Sequence, residues 1–151
     1  MGIEYSIIAM DDSVTQDIVL NAFSPYCTKK DDEEYLLDYG DEVYEDMIIC
    51  NHCTLYLSFK ESSKEIIESI EIIKPSDHPA LEKAIFLLIH EHPMFIAGPD
   101  FPLMTANKKC MDLLKVEDIE TYEDTELVSS FDEFSKPFNW LRIDINDLKA
   151  V

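Results

Sequence analysis

The segment KPSDHPALEKAIFLLIHEHPMFIAGPDFPLMTA, residues 74–106, decides the fold, because it predicts a helix followed at once by a pair of strands. Asp77 or Ser76 can cap the helix, and Pro79 lies in its first turn. One apolar stripe runs along the helix and comprises Leu81, Ala84, Ile85, Leu88 and Ile89. A helix with one apolar stripe buries that stripe against other elements, so we expect this helix to be central to the core.

Two short strands are expected directly after this helix, which Pro93 ends. Met94–Ala106 is an apolar run interrupted by the turn Gly98-Pro99-Asp100, which is typical of a hairpin. The other predicted elements are, in chain order, a strand at Ile3–Met10, a helix at Val14–Phe23, strands at Met47–Phe59 and Glu65–Ile73, a short helix from Asn107 to Leu114, a loop or helical turn at Ser129–Pro137 and a last strand at Phe138–Ile145. The helix at Val14–Phe23 is expected to be capped by Asp12 or Ser13 and ended by Ser24-Pro25. Glu65–Ile73 could also form a short helix, but its recurring isoleucines favour a strand.

This order of elements predicts an α+β or mixed α/β fold, with residues 1–151 forming a single acidic domain. We expect a single mixed or antiparallel sheet of about 5–6 strands, packed against roughly 2–4 helices. The length of 151 residues and an apolar content of 46% allow a substantial core.

The chain is strongly acidic, with 32 Asp+Glu against 12 Lys+Arg and a formal net charge of -20. Nucleic acid and anionic membranes both select for positive surfaces, so neither is expected as a partner. A basic protein would be steered towards this chain and would relieve its self-repulsion. The alternative is that the acidity serves only to keep the protein soluble.

The beginning of the sequence lacks the pattern of a secretory signal. Met1–Met10 has no basic region, and Asp11 and Asp12 interrupt the apolar run. No stretch approaches the roughly 18 apolar residues that a membrane span needs. We therefore predict a cytoplasmic protein whose four cysteines are reduced thiols.

Cys50-Asn51-His52-Cys53 is a lone CxxC motif, to which zinc would need two further ligands, such as His90 and His92. Residues three apart on a strand point to opposite faces, so Cys50 and Cys53 diverge and a structural role is favoured. His90 and His92 lie at the end of the predicted helix, where an imidazole complements the helix dipole. We therefore predict no metal site.

Signatures of catalysis are missing from the sequence. Its three glycines cannot build a phosphate-binding loop or a dinucleotide fingerprint, and it contains no nucleophile elbow. Carboxylates are so abundant that no pair stands out as acid and base. We predict neither catalytic residues nor a cofactor, and we expect that the chain is not an enzyme.

Carboxylates alternate with tyrosines in CTKKDDEEYLLDYGDEVYED, residues 27–46, and again in EDIETYEDTE, residues 117–126. Carboxylates accept charge-assisted hydrogen bonds from lysine and arginine, while tyrosines supply rigid contact area. The candidate partner-binding residues are Asp31, Asp32, Glu33, Glu34, Tyr35, Asp38, Tyr39, Asp41, Glu42, Tyr44, Glu45 and Asp46 in the first stretch, and Glu120, Tyr122, Glu123 and Asp124 in the second. The alternative is a solvated acidic loop or helix whose tyrosines pack inward.

In its size, acidity and tyrosine-interleaved carboxylates, the chain resembles bacterial immunity proteins of contact-dependent inhibition and other polymorphic toxin systems. Lys74–Ala106 is also similar to a segment of some immunity-like proteins, with a helix begun by proline and an apolar hairpin after it. The resemblance implies a cytoplasmic protein that binds the C-terminal toxin domain of a cognate effector, often a basic nuclease, and covers its active site. The Asp31–Asp46 carboxylates would then pair with toxin lysines and arginines that otherwise hold nucleic-acid phosphate.

Two other classes of function stay open at this point. One is an acidic DNA mimic that inhibits a nucleic-acid-binding protein, which would share the same electrostatics. The other is an enzyme with a carboxylate or metal site, which a deep pocket of converging carboxylates would favour.

Overall fold

The computed structural model describes residues 4–76, 78–99 and 101–138. The strands and helices are, in chain order, β1 (Glu4–Ala9), α1 (Gln16–Phe23), β2 (Cys27–Lys29), β3 (Glu34–Tyr44), β4 (Met47–Lys60), β5 (Ser63–Ile73), α2 (Pro79–Glu91), β6 (Met94–Gly98), β7 (Phe101–Thr105), α3 (Lys108–Glu117), α4 (Ile119–Asp124), β8 (Thr125–Leu127) and α5 (Phe131–Ser135), followed by a 3-10 turn at Lys136–Phe138. None of the helices in these ranges is long and apolar enough to cross a membrane.

The described strands form one mixed sheet in the order β2-β3-β4-β5-β1-β6-β7-β8. All neighbours are antiparallel except β7 and β8, which run parallel. The fold is therefore α+β, as predicted, but its 8-stranded sheet is larger than the expected one. Two of the added strands, β2 and β3, come from the acidic segment.

Burial explains why this segment forms strands although aspartate, glutamate and glycine are depleted in them. Tyr35, Leu37 and Tyr39 alternate along β3 and are all buried. Their inward-facing side chains outweigh the weak local preference of the residues between them. The other unpredicted elements, β8 and α4, lie in the second acidic stretch.

Most predicted elements are confirmed. The strands β1, β4 and β5, the β6–β7 hairpin and the helix α2 lie where the sequence placed them, and the whole apolar stripe of α2 is buried. Asn107 caps α3 by accepting a hydrogen bond from the Cys110 N–H at 3.1 Å, although the helix continues past Leu114. The predicted strand at Phe138–Ile145 lies outside the described residues, apart from Phe138 in the 3-10 turn.

Two predicted helix caps were wrong. α1 starts at Gln16 with Thr15 as its cap, because the Val14 carbonyl accepts a hydrogen bond from the Ile67 N–H and so belongs to the sheet. The cap of α2 is His78, whose Nδ1 accepts from the Ala80 N–H at 3.1 Å. Of the two residues predicted for that role, Ser76 is not the cap and Asp77 lies outside the described residues.

Helices cover the two sheet faces unequally. On one face α1, α2 and α5 enclose the main core, into which Ile7 of β1 and Ile96 of β6 project. On the other face Cys110 and Leu114 of α3 pack on Phe95, next to Ile8. The same face of β4 carries exposed His52, Tyr56 and Ser58 instead, so the β3–β4 side of the sheet is open to solvent.

Candidate partner-binding surface

The β3–β4 hairpin extends beyond its neighbours in the sheet. β2 pairs with β3 only as far as Leu37, and β5 pairs with β4 only from Thr54 onward. Residues 39–53 therefore form a two-stranded projection, called here the arm. Its second strand runs from Met47 to Cys53, which corresponds to a length of about 23 Å.

A bulge and a tight loop shape the arm. The register moves from Asp38 opposite His52 to Asp41 opposite Cys50, so β3 carries one extra residue there. Gly40 has a φ of 85° at this point, a conformation that glycine adopts without a side-chain penalty. At the tip, Glu45 and Asp46 form a two-residue loop between Tyr44 and Met47. Because of the extra residue, Asp41 and Val43 share the solvent-facing side of the hairpin with Asp38.

The tip of the arm exposes aliphatic side chains. Val43 is 69% exposed and lies directly opposite Ile48, which is 67% exposed. Met47, the preceding residue of β4, is 48% exposed, and its side chain points to the opposite face of the hairpin. Three exposed acidic residues surround this group, namely Asp41, Glu45 and Asp46. An apolar centre with a charged rim is the composition of a protein-docking patch.

At the base of the arm, His52 lies between two carboxylates. Its Nε2 is 3.1 Å from Oδ1 of Asp38 and 3.4 Å from Oδ1 of Asp41. The negative charge of Asp41 also raises the pKa of the Cys50 thiol. Cys50 is therefore no activated nucleophile, since a reactive cysteine needs a lowered pKa.

Tyr35 and Tyr39 were expected to offer their rings to a partner, and this expectation was wrong. They are only 3% and 8% exposed, because they occupy the inward-facing positions of β3. The Tyr35 hydroxyl accepts a hydrogen bond from Nε2 of Gln16 at 2.7 Å. Tyr39 stacks on His78 with ring centroids 5.1 Å apart, and burial raises its pKa. The third tyrosine, Tyr44, belongs to β3, but its side chain is outside the described part of the structure.

The acidic stretch Asp31–Asp46 does not form one surface. β3 has 11 residues, so its two ends are roughly 35 Å apart. The candidates Asp31, Asp32, Glu33 and Glu34 lie at one end, and the arm lies at the other. At the first end, Lys29 pairs with Asp32 at 3.2 Å and Lys30 with Glu34 at 3.4 Å.

The first end also contains a cleft with a volume of about 480 Å³. Its walls comprise Gln16, Lys29, Asp32, Glu33, Phe59, Lys60, Glu61 and Lys64. Outside the cleft, backbone N–H groups of Glu33 and Glu34 donate to Asp31 and lower its pKa. Lysines thus pair with two of the four acidic candidates at this end. Among the described ion pairs with lysine, none involves Asp38, Asp41, Glu45 or Asp46 of the other end.

The second acidic stretch lies far from the arm. Glu120, Tyr122, Glu123 and Asp124 all belong to α4, which contacts β7. The strands β4, β5, β1 and β6 separate β7 from β3, a distance of about 24 Å across the sheet. The Tyr122 ring packs beside Phe95 and Leu114, with Nζ of Lys115 5.9 Å from its centroid. The two predicted acidic surfaces are therefore separate.

The CxxC motif and the two histidines occupy structural positions. Cys53 is buried and Cys50 is exposed, so the predicted divergence of the two thiols is confirmed. His90 stacks on Phe86 with ring centroids 5.4 Å apart, and His92 caps the end of α2. Within residues 4–76, 78–99 and 101–138, no three His, Cys, Asp or Glu side chains are grouped so that they could hold a metal ion.

The aliphatic side chains of the arm were missed by sequence reasoning. Met47 and Ile48 fell within a strand that was expected to be half-buried, and Val43 lay unnoticed among carboxylates. The available signal was the pair of β-prone dipeptides Val43-Tyr44 and Met47-Ile48 on either side of Glu45-Asp46, which is the spacing of a tight hairpin.

The chain matches no family model, no curated protein and no solved structure. Its function is therefore inferred from its fold and surfaces.

Proposed function

We propose that this chain is a cytoplasmic immunity protein that neutralises a basic toxin domain by binding its active or substrate-binding surface with the arm. The observation that carries the proposal is the exposed Val43–Ile48 pair inside a rim of carboxylates. Hydration of exposed aliphatic side chains is unfavourable, and a partner that covers them removes this cost. A partner that fits this patch presents an apolar centre surrounded by lysine and arginine.

Charge and apolar contact have different roles in this proposal. The carboxylates of Asp38, Asp41 and Glu45 steer a basic toxin domain to the arm and accept its charge-assisted hydrogen bonds. The Val43–Ile48 pair then slows dissociation, because dry apolar contacts at the centre of an interface contribute most of the binding energy. A nuclease whose phosphate-binding lysines are engaged in this way cannot hold its substrate.

The aliphatic tip favours immunity over DNA mimicry. A DNA mimic reproduces a surface of regularly spaced phosphates, and two adjacent aliphatic side chains have no counterpart on a phosphate backbone. An enzymatic role would need converging carboxylates in a pocket. In the 480 Å³ cleft, carboxylates alternate with lysines, and Lys29 and Lys60 already pair with Asp32 and Asp12.

The test is binding to the toxin domain encoded by the gene adjacent to that of this chain, measured by calorimetry and by stopped-flow association. One variant reverses charge on the arm and at the residue that precedes it through Asp38→Lys, Asp41→Lys, Glu42→Lys and Glu45→Lys. A matched control makes the same change in net charge elsewhere through Glu65→Lys, Glu68→Lys, Asp112→Lys and Glu117→Lys, all at exposed positions.

We expect the arm variant to associate at least about tenfold more slowly and to bind more weakly. The control should lose only the small part of the association rate that depends on total charge. Circular dichroism and thermal unfolding establish that both variants are folded. Equal affinities of the two folded variants would reject the arm as the binding site. The absence of a toxin domain in the adjacent genes, or of binding to it, would reject the immunity function.

A further inference from the structure

We infer that the partner adds a basic, extended segment as a new strand to the free edge of β3 within the arm. This inference rests on the proposed function and states how the arm recognises its partner. It depends on three observations, which are the open edge, the acidic side chains along it and the net charge of the whole chain.

Among the described strands, none lies beside β3 at Asp41 and Val43, so the backbone of β3 has an open edge there. Tyr44 and Met47 flank a two-residue loop and therefore exchange backbone hydrogen bonds. In an antiparallel pair such positions alternate, so the N–H and C=O groups of Asp41 and Val43 point away from β4. The neighbouring strand β2 starts at Cys27, opposite Leu37, and no described strand lies beside residues 41–43. Two backbone N–H donors and two backbone C=O acceptors are thus presented at the spacing of a β-strand.

Side-chain charge distinguishes this edge from the opposite edge of the arm. Along β3, acidic Asp41 and Glu42 lie on the open stretch, and acidic Asp38 directly precedes it, with its backbone N–H donating to the Tyr26 carbonyl at 2.9 Å. Along β4, the residues whose backbone points outward are Ile48, Cys50 and His52. A strand with lysine or arginine at alternate positions therefore fits the β3 edge better, because opposite charges on neighbouring strands attract.

The same charge disfavours a second copy of this chain as the occupant. Pairing two β3 edges would bring carboxylates against carboxylates in molecules that each carry a net charge of -20. Charged residues and bulges are the usual protection of an exposed edge against self-association. Here the acidic side chains and the bulge at Gly40 exclude the copy while leaving the edge open to a basic strand.

A peptide pair tests for backbone pairing directly. The probe is a capped, fluorescently labelled peptide of about eight alternating lysine and valine residues, the length of an ordinary strand. Its control is the same peptide with every backbone nitrogen methylated, which keeps the charge but donates no backbone hydrogen bond. Binding is measured by fluorescence anisotropy at low salt, and amide hydrogen exchange is recorded at Asp41 and Val43.

Three variants locate the edge. Val43→Pro removes the outward N–H of β3 at a position where an edge strand tolerates proline, and Val43→Ala removes the side chain but keeps that N–H. Cys50→Pro makes the equivalent change on the β4 edge. Thermal unfolding is measured for each of them, so that binding is compared only between folded proteins.

We expect the methylated peptide to bind about tenfold more weakly than the probe, since each lost backbone hydrogen bond reduces affinity several-fold. Val43→Pro removes one donor and should weaken probe binding several-fold relative to Val43→Ala. Cys50→Pro should not change probe binding, and the probe should slow exchange of the Asp41 and Val43 amides. Equal binding of the two peptides, equal binding of the two Val43 variants, or no binding of the probe would overturn strand addition. None of these outcomes bears on binding of the toxin domain by the arm, which the charge-reversal experiment tests separately.

Discussion

Replacing Val43 and Ile48 together with serine removes the apolar centre of the arm while leaving its carboxylates in place. Full burial of such a side chain is worth about 1.5–3 kcal/mol. The two side chains are 69% and 67% exposed, so a partner can still bury about two thirds of each. The double substitution should therefore cost roughly 2–4 kcal/mol of binding free energy, which corresponds to a roughly 30- to 700-fold higher Kd.

The stability of the protein itself should change little. Substitutions at exposed positions usually alter the free energy of unfolding by no more than about 0.5 kcal/mol. Val116 provides a matched control, since this aliphatic residue is 84% exposed on α3 and lies across the sheet from the arm. Val116→Ser should leave affinity for the toxin domain unchanged. Isothermal titration calorimetry gives the Kd, and thermal unfolding of each variant shows whether it is folded.

A folded Val43→Ser, Ile48→Ser variant whose Kd rises less than about threefold would refute the reasoning, because a desolvated pair cannot contribute so little. An equal loss of affinity in Val116→Ser would refute the reasoning as well, because the effect would then follow from the loss of any exposed aliphatic side chain.

Two further predictions concern the sheet. Protonated Glu71 donates a hydrogen bond to the Glu4 carboxylate, and this bond, together with burial and the charge of Glu4, raises the pKa of Glu71 from its ordinary value of 4.5. Glu71 therefore contributes stability that is present below pH 4.5 and lost as the pH rises through the raised pKa. Glu71→Gln should stabilise the protein by about 0.5 kcal/mol at pH 7 and by less below pH 4.5, as chemical denaturation across this pH range would show. Gly40→Ala should destabilise the protein by about 1 kcal/mol, because the φ of 85° strains any other residue, although nothing lies within 4 Å of an added Cβ. An unchanged denaturation midpoint would mean that the bulge can relax.

The elements that local pattern could predict are those whose periodicity is strong. The stripe of α2, from Leu81 to Ile89, occurs at helical spacing and is buried throughout. The alternating residues of β4 and the β-branched residues of β5 predict strands for the same kind of reason. These patterns are short-range, so a few consecutive residues contain the whole signal.

The structure of the acidic segment was harder to predict, because local strand preference and burial oppose each other there. Its carboxylates and Gly40 disfavour a strand locally, while Tyr35, Leu37 and Tyr39 gain from burial only when a core is available to receive them. The same burial that builds β3 withdraws Tyr35 and Tyr39 from the proposed surface. Reasoning from the sequence proposed acidic candidates for the partner-binding surface and missed the exposed aliphatic side chains.

The sequence by itself determined that this protein is acidic, has one main core helix and contains several strands, because composition and periodicity are properties of the chain alone. Only the tertiary structure decided which carboxylates lie together. Asp31 and Asp46 are near in sequence yet at opposite ends of the long β3–β4 hairpin, and α4 lies across the sheet from both. Val43 and Ile48 are exposed because β2 and β5 end before they reach the arm. The residues of the arm do not show where these neighbouring strands end, so this exposure could not be predicted from local sequence.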